Sequence, residues 1–448
     1  MTKAIPVMDS ARPKQSLYEA FVVAPESASK INDPAAYIRP FLDFISNNPT
    51  VFHAVQYFKD RLSSVGFTEL SERNTWDMKA GGKYYFSRNS SGLIAFKIGK
   101  EYKAGNGAVI IASHIDALTA KVKPVSTKPT KQGYLQVGVA QYGGALSQTW
   151  FDRDLSISGR VFVKDSSGKI HEKLVTLDSV ARIPTIAPHF GLAAEGQANR
   201  ETRMVPIIGL DNDDIEAEGY PLAGAATFAS TQPPRLVKAV AAGLGIQDYN
   251  TIINWELEMH DSQAAQLGGL SKEFIFAGRL DDKLCCFAAI EALISDTSST
   301  TNGTISLAGL FDDEEVGSLL RQGAHSNFLP SAIERIIESF CPASSAKSTT
   351  SLLYQTYANS FLVSADVCHA YNPNYDDVYL KDHTPRLNIG PAVSFDSNAH
   401  MTTDGVSSTI INRIAEKAGC KLQVFQIRSN YAFPPPIKSP FPCLPRSR

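Results

Sequence analysis

An apolar run, Ala108-Val109-Ile110-Ile111-Ala112, passes directly into Ser113-His114-Ile115-Asp116. Three later segments break off in the same way. EFIFAGRLDD stops at Asp281 and Asp282, TISLAGLFDDEEVGS at Asp312-Asp313-Glu314-Glu315, and FLVSADVCHAYNPNY at Asp366 with His369. Short apolar runs of this kind read as buried strands. Helical patterns are expected after two of them, over 281–296 and after Glu315, so the alternation is that of an α/β protein. In such folds catalytic groups collect at the carboxyl ends of the strands.

Composition narrows the class. Hydrophobic residues make up 43% and charged residues 20%, which excludes a disordered chain. Lys plus Arg is 43 against 45 for Asp plus Glu, so no global charge draws the protein to nucleic acid or an anionic membrane. No run nears the ~20 apolar residues of a membrane span. The first ten residues, from Met1 to Ser10, are too polar and proline-broken for a secretory signal. A soluble protein without a signal peptide is expected. Six cysteines with no C-x-x-C are too sparse for a disulfide scaffold or a thiolate zinc site. Cys285-Cys286 lie in an apolar helical run and read as core.

At 448 residues two or three domains are expected. Residues 1–33 read as a weakly ordered leader. Helices are predicted over 34–46 and from Pro49, which suits a first helical position, and KYYFSRN and LIAFKIG read as a hairpin. The texture turns β-rich over 120–261, with one helix at Pro233–Leu244. Its acidic DNDDIEAEG (211–219) lacks the spacing of an EF-hand and reads as a solvated loop. The α/β pattern returns over 262–430, with a helix at 400–418 and a strand from Leu422 to Ile427. The segment 431–448 holds six prolines and can build neither a central strand nor a helix interior.

The strand ends carry the chemistry. One Asp pair after a strand is ordinarily a helix N-cap, and one buried histidine is ordinarily a satisfied core residue. Four such ends together are costly to bury without cations. Zinc suits a mixed histidine and carboxylate shell. His114 with Asp116 offers a ligand and a carboxylate to orient its ring, and Glu314-Glu315 offers a base and a ligand. Metal-assisted hydrolysis is the chemistry these residue types favour; a Mg²⁺-dependent phosphohydrolase on clustered Asp is the alternative from another class.

Here the chain resembles the aspartyl aminopeptidase family of zinc exopeptidases, and within it the fungal vacuolar aminopeptidase I branch. The resemblance spans residues 34 to about 429. It rests on SHIDALTAKVKPVS, QYGGALSQTWFDRDLSISGR, ARIPTIAPHFG, FAGRLDDKLCCFAA, FDDEEVGS with RQGA, and SADVCHAYNPNY. It implies a zinc-exopeptidase-like α/β/α catalytic domain (34–119 and 262–430) interrupted by a β-rich dimerisation domain (120–261), dimers assembling into a dodecamer, and a cytoplasmic or vacuolar location. It implies removal of N-terminal residues from peptides by a di-zinc-activated water. His114 and Asp366 would ligate the first zinc, Asp281 would bridge, Glu315 would ligate the second, Glu314 would be the general base and Asp116 would fix His114. His189 would reach a neighbouring subunit's active site.

Two departures from the family pattern follow. Members end in a segment whose Met-His-Ser supplies a second-zinc histidine, whereas here the match stops near Asn430 and the last histidine, His400, aligns with a non-ligand stretch. One zinc rather than two, and a defective or non-catalytic subunit, are the corresponding expectations; Cys443 is the tail's one soft ligand. Members preferring Asp or Glu carry a lysine before a Gly-Pro. Here that position is Ile389, before Gly390-Pro391, so neutral, hydrophobic N-terminal residues are expected.

Overall fold

The structure, a computed structural model, describes residues 34–190, 199–211, 227–298, 302–341 and 349–428. The leader 1–33, the acidic segment after Asp211 and the proline-rich 431–448 with Cys443 lie outside the described residues. Of the described residues, 34–367 form one compact unit and 368–428 another.

The larger unit begins with two amphipathic helices. The first, α1 (Ile38–Asn47), buries Phe41, Leu42, Phe44 and Ile45. The second, α2 (Val51–Ser64), starts two residues later than Pro49 because the Thr50 side chain caps it, accepting the His53 N–H. Strands β1 (Thr68–Glu69), β2 (Lys83–Arg88), β3 (Gly92–Ile98) and β4 (Ala108–His114) follow. Every residue of β3 is buried.

Between Thr119 and Asp261 the chain leaves this sheet for a closed barrel. Its strands are β5 (Thr119–Thr127), β6 (Tyr134–Tyr142), β7 (Asp154–Lys164), β8 (Ile170–Arg182), β9 (Ile207–Leu210) and β10 (Ile252–Asp261), closed in the order β10-β5-β6-β9-β8-β7. Closure removes the free edges that so many short strands would otherwise expose. Helix α3 (Pro234–Leu244) adds Leu236, Val237, Val240 and Ala241 to the barrel's core.

The chain then makes a hairpin of β11 (Gln266–Gly268) and β12 (Phe274–Phe276) and enters α4 (Leu280–Ser295). Strand β13 (Ile305–Phe311) follows. The helix expected directly after Glu315 is absent there: Glu314–Val316 make a single 3-10 turn, and α5 begins only at Phe328, running to Phe340. Helix α6 (Thr349–Ala358) leads into β14 (Phe361–Ser364). The open six-stranded sheet has the order β1-β2-β3-β13-β4-β14. Alternate residues of β2 and β3 face opposite layers: Tyr84, Phe86, Ile94 and Phe96 pack with α5 and α6, and Tyr85, Leu93 and Ala95 with α1, α2 and α4. The result is a three-layer α/β/α sandwich. Each large side chain buried there, such as Phe44, Phe58 or Phe96, contributes about 2 kcal/mol.

The smaller unit pairs β15 (Ala392–Phe395) in parallel with β16 (Gln423–Gln426) around α7 (Gly405–Ala418). That helix starts five residues after His400, where Asp404 and Ser407 form a capping box.

Candidate metal centre

Register places the site. Strand β13 runs parallel to β4 with Phe311 opposite His114, and β14 runs parallel on the other side with Ser364 opposite Ala112. Ile115 N–H donates to Phe311 O at 2.7 Å and Ala365 N–H to Ala112 O at 2.8 Å. Three strands therefore end nearly level, delivering His114, the turn 312–315 and Asp366. The fourth group, Asp281, comes from the entry to α4, which packs against β4 and β13.

The imidazole of His114 is the centre of the arrangement. Its Nε2 lies 3.0 Å from Asp281 Oδ1 and 3.6 Å from Asp366 Oδ1, and its Nδ1 lies 3.3 Å from Asp116 Oδ1. That last approach is an ion-pair contact rather than an aligned hydrogen bond. His114 is 6% exposed, while the Asp281 and Asp366 side chains stand 57% and 53% open to solvent. The ring is thus fixed from behind and its outer nitrogen faces two accessible carboxylates. Among the described residues, His114, Asp281 and Asp366 are the group of three whose ligand atoms all lie within 4.8 Å of one another.

The donor set fits zinc. One imidazole nitrogen and two solvent-accessible carboxylate oxygens converge, and Asp116 stands behind the histidine as a zinc-binding histidine would require. Electrostatics point the same way. Burial lowers the His114 pKa, but the surrounding carboxylates of Asp116, Asp281 and Asp366 outweigh it and hold the ring well above its ordinary value. Burial pushes Glu314 up to about 7 and Glu315 up to about 8, with His114 opposing and the carboxylates of Asp116 and Asp281 adding to the rise. Burial likewise pushes Asp282 up to about 8 and Asp312 up to about 7. Burial is the first cause of each rise and neighbouring carboxylates add to it, and a divalent cation would relieve both.

Behind these side chains runs a hydrogen-bond frame. Asp116, 1% exposed, accepts the backbone N–H of Glu314 on Oδ1 at 3.2 Å and that of Glu315 on Oδ2 at 3.1 Å. Gln322 Nε2 donates to Asp313 Oδ2 at 2.7 Å and to Asp312 Oδ2 at 3.2 Å, which makes that pair structural. Fully buried Lys283 donates to Ile115 O at 2.8 Å, and Cys286 Sγ to His114 O at 3.0 Å. Both pin the backbone at His114 and Ile115. Tyr142 donates its hydroxyl to Asp116 at 2.7 Å. No sequence spacing marks Tyr142 or Gln322, since the barrel's register and the 312–322 loop bring them in.

The remaining sequence candidates lie elsewhere. His189 sits in a 3-10 turn, exposed and stacked on Phe190 with ring centroids 4.9 Å apart. His369 is exposed in the smaller unit, and His400 pairs with Asp396 there. Glu315 does not join the three-residue group.

The family described as aminopeptidase I zinc metalloprotease (M18) matches residues 44–433. Vacuolar aminopeptidase 1 of Saccharomyces cerevisiae is 41% identical over 407 residues, covering 87% of this chain and 77% of that protein. Aspartyl aminopeptidase of Aspergillus oryzae is 37% identical over 435 residues, covering 90% and 86%. Among solved structures, Chaetomium thermophilum mApe1 matches with a TM-score of 0.83 and 54% identity, covering 88% of this chain and 87% of that one. The Saccharomyces cerevisiae mApe1 dodecamer matches with a TM-score of 0.75 and 38% identity, covering 87% and 84%.

Proposed function

The chain belongs to the aminopeptidase I zinc metalloprotease (M18) family and is a zinc-dependent aminopeptidase; on that premise we propose which residues carry the reaction and which substrates it takes. The observation that carries the assignment is the convergence of His114, Asp281 and Asp366. These three would hold one zinc; Asp281 with Glu315 alone would hold a second only weakly, so one zinc per subunit is expected. Bound there, zinc acts as a Lewis acid toward the scissile carbonyl and raises the acidity of the attacking water. Glu314, free of ligand duty in this reading, takes a proton from that water at its carboxylate and returns one to the leaving amine as the C–N bond breaks. Asp116 keeps the His114 ring in register through Nδ1.

The favoured substrates are peptides with neutral, hydrophobic N-terminal residues. Ile389 supports this, since an apolar side chain there leaves an acidic substrate without a cation to pair with. The barrel over 120–261 would serve as the dimerisation domain, with His189 reaching a neighbouring subunit's site. The assembly would be a dodecamer like the one solved for the yeast relative, in the vacuole or the cytoplasm.

Glu314→Gln tests the chemistry: zinc content should stay unchanged while kcat falls by about a hundredfold or more. Near-normal turnover in that variant overturns the role of Glu314. For specificity, kcat/KM on Leu-p-nitroanilide should exceed that on the Asp substrate, and Ile389→Lys should narrow the ratio. A wild-type preference for Asp refutes the substrate class.

A further inference from the structure

The barrel touches the metal centre through the last residue of β6. Tyr142 is 9% exposed, and its hydroxyl donates to Asp116 Oδ2 at 2.7 Å and lies 3.2 Å from Asp313 Oδ1. Lys121 Nζ sits 4.0 Å from the ring centroid, and Lys121 also pairs with buried Glu258 at 3.6 Å, so the ring is clamped on its outer side. The next residue, Gly143, packs its backbone against the Glu315 turn, where an added Cβ would come within 3.0 Å of Glu315 Cβ.

Asp116 is a hub with few ways to move. Its Oδ1 accepts the Glu314 N–H and faces His114 Nδ1, and its Oδ2 accepts the Glu315 N–H. Those partners all belong to the structure that Asp116 must hold in place. The Tyr142 hydroxyl is different, because it comes from a separate barrel, at the end of a strand whose Val137 and Val139 lie in the barrel core, with Lys121 over its ring. It is therefore the outside reference that sets the rotation of the Asp116 carboxylate. It also stands between the Asp116 and Asp313 carboxylates, which would repel each other without a donor there.

We propose that Tyr142 is a positioning residue for the aminopeptidase reaction: its hydroxyl fixes the Asp116 carboxylate and, through it, both the His114 ring and the Glu314–Glu315 turn. This rests on the assignment of His114 and its neighbours as the zinc site. Outer-shell partners of a metal ligand typically change affinity or activity by about 10–100-fold.

The test uses the full 448-residue protein. Tyr142→Phe keeps the ring, its burial and its face toward Lys121, and removes one hydroxyl. Zinc affinity, read by chelator competition, should fall about tenfold. Turnover should fall about tenfold or more, with KM within twofold of the parent. In an Asp116→Asn background the same substitution should change zinc affinity by less than twofold, since Tyr142 acts through Asp116; a purely structural role would give multiplying penalties. Unchanged zinc affinity in Tyr142→Phe, or full multiplication in the double variant, overturns the inference. Asp281→Asn separates the premises. If it loses zinc while Tyr142→Phe does not, the zinc-site reading stands and the role of Tyr142 falls; if Asp281→Asn keeps zinc and activity, both fall.

Discussion

The backbone N–H of Glu315 donates to Asp116 Oδ2 at 3.1 Å. The carboxylate that faces the His114 ring therefore also holds the turn that carries the proposed base and second ligand. Asp116→Asn is informative for that reason. An amide offers one acceptor oxygen in place of two, and its NH₂ end would point at the N–H of Glu314 or Glu315. Zinc affinity is expected to fall about 10–100-fold with a matching loss of turnover, read by chelator competition and by kcat on an aminoacyl p-nitroanilide. Parent-like values in both would show that Asp116 orients neither partner.

Much of this site can be read along the chain, and what cannot has physical causes. The apolar run before His114 and the acidic ends after 311 and 364 are strand signals because buried strands need unbroken apolar sequence. The helix expected after Glu315 is replaced by a tight turn because Asp116 captures the N–H groups of Glu314 and Glu315. Asp313 and Gly317 at φ +64° and +103° also break the helical path. Helix α6 leaves little trace in the sequence because its apolar stripe is weak, with only Leu352 and Thr356 buried. The alignment of Phe311 with His114, and the arrival of Tyr142, depend on strand register, which no local pattern encodes.

Arg160 on β7 ties the barrel to the first sheet. It is 6% exposed, donates to Asn89 O at 2.7 Å and Asn89 Oδ1 at 3.2 Å, pairs with Glu256, and lies 4.2 Å over the Phe52 ring. A lysine keeps the charge but lacks the planar fork and the stacking surface. Arg160→Lys should therefore lose about 2 kcal/mol, seen as a lower urea midpoint at unchanged slope. An unmoved midpoint would mean that this junction contributes nothing to stability.

Two histidines outside the candidate metal centre should make the fold acid-sensitive. Burial, with Arg279 and His53 nearby and Asp261 opposing, lowers His260 to about 3. Burial, with Lys283 nearby, lowers His53 to about 4. They are linked through Thr176 and Ser158, hydroxyls at 3.4 Å from His53 and 2.8 Å from His260. Their folded pKa values lie below the ordinary 6.5, so the unfolded chain takes up protons first as pH drops. The stability they permit is present above pH 6.5 and is lost progressively toward pH 4. With both rings mostly buried, the pair should cost about 2–3 kcal/mol between pH 6.5 and 5. Thermal melts across that range should show the decline, and His260→Gln should flatten it. A variant as acid-sensitive as the parent would remove His260 from the explanation.

Gly143 separates folding from catalysis at the barrel contact. It has a φ of +60°, which costs a residue with a side chain about 1 kcal/mol. An alanine Cβ would also meet Leu118 Cδ2 at 2.7 Å, Glu315 Cβ at 3.0 Å and Glu315 O at 3.1 Å. Leu118 is 41% exposed and can swing aside, so that clash is cheap. The Glu315 backbone cannot move without carrying Glu314 with it. Gly143→Ala should therefore lower stability by only about 1–2 kcal/mol while cutting kcat by about tenfold or more, because a shift under 1 Å at the base is enough to misplace proton transfer. Adding Leu118→Ala should recover some stability and none of the turnover. If kcat follows stability in both variants, Glu315 yields without disturbing the Glu314 turn, and the contact serves packing alone.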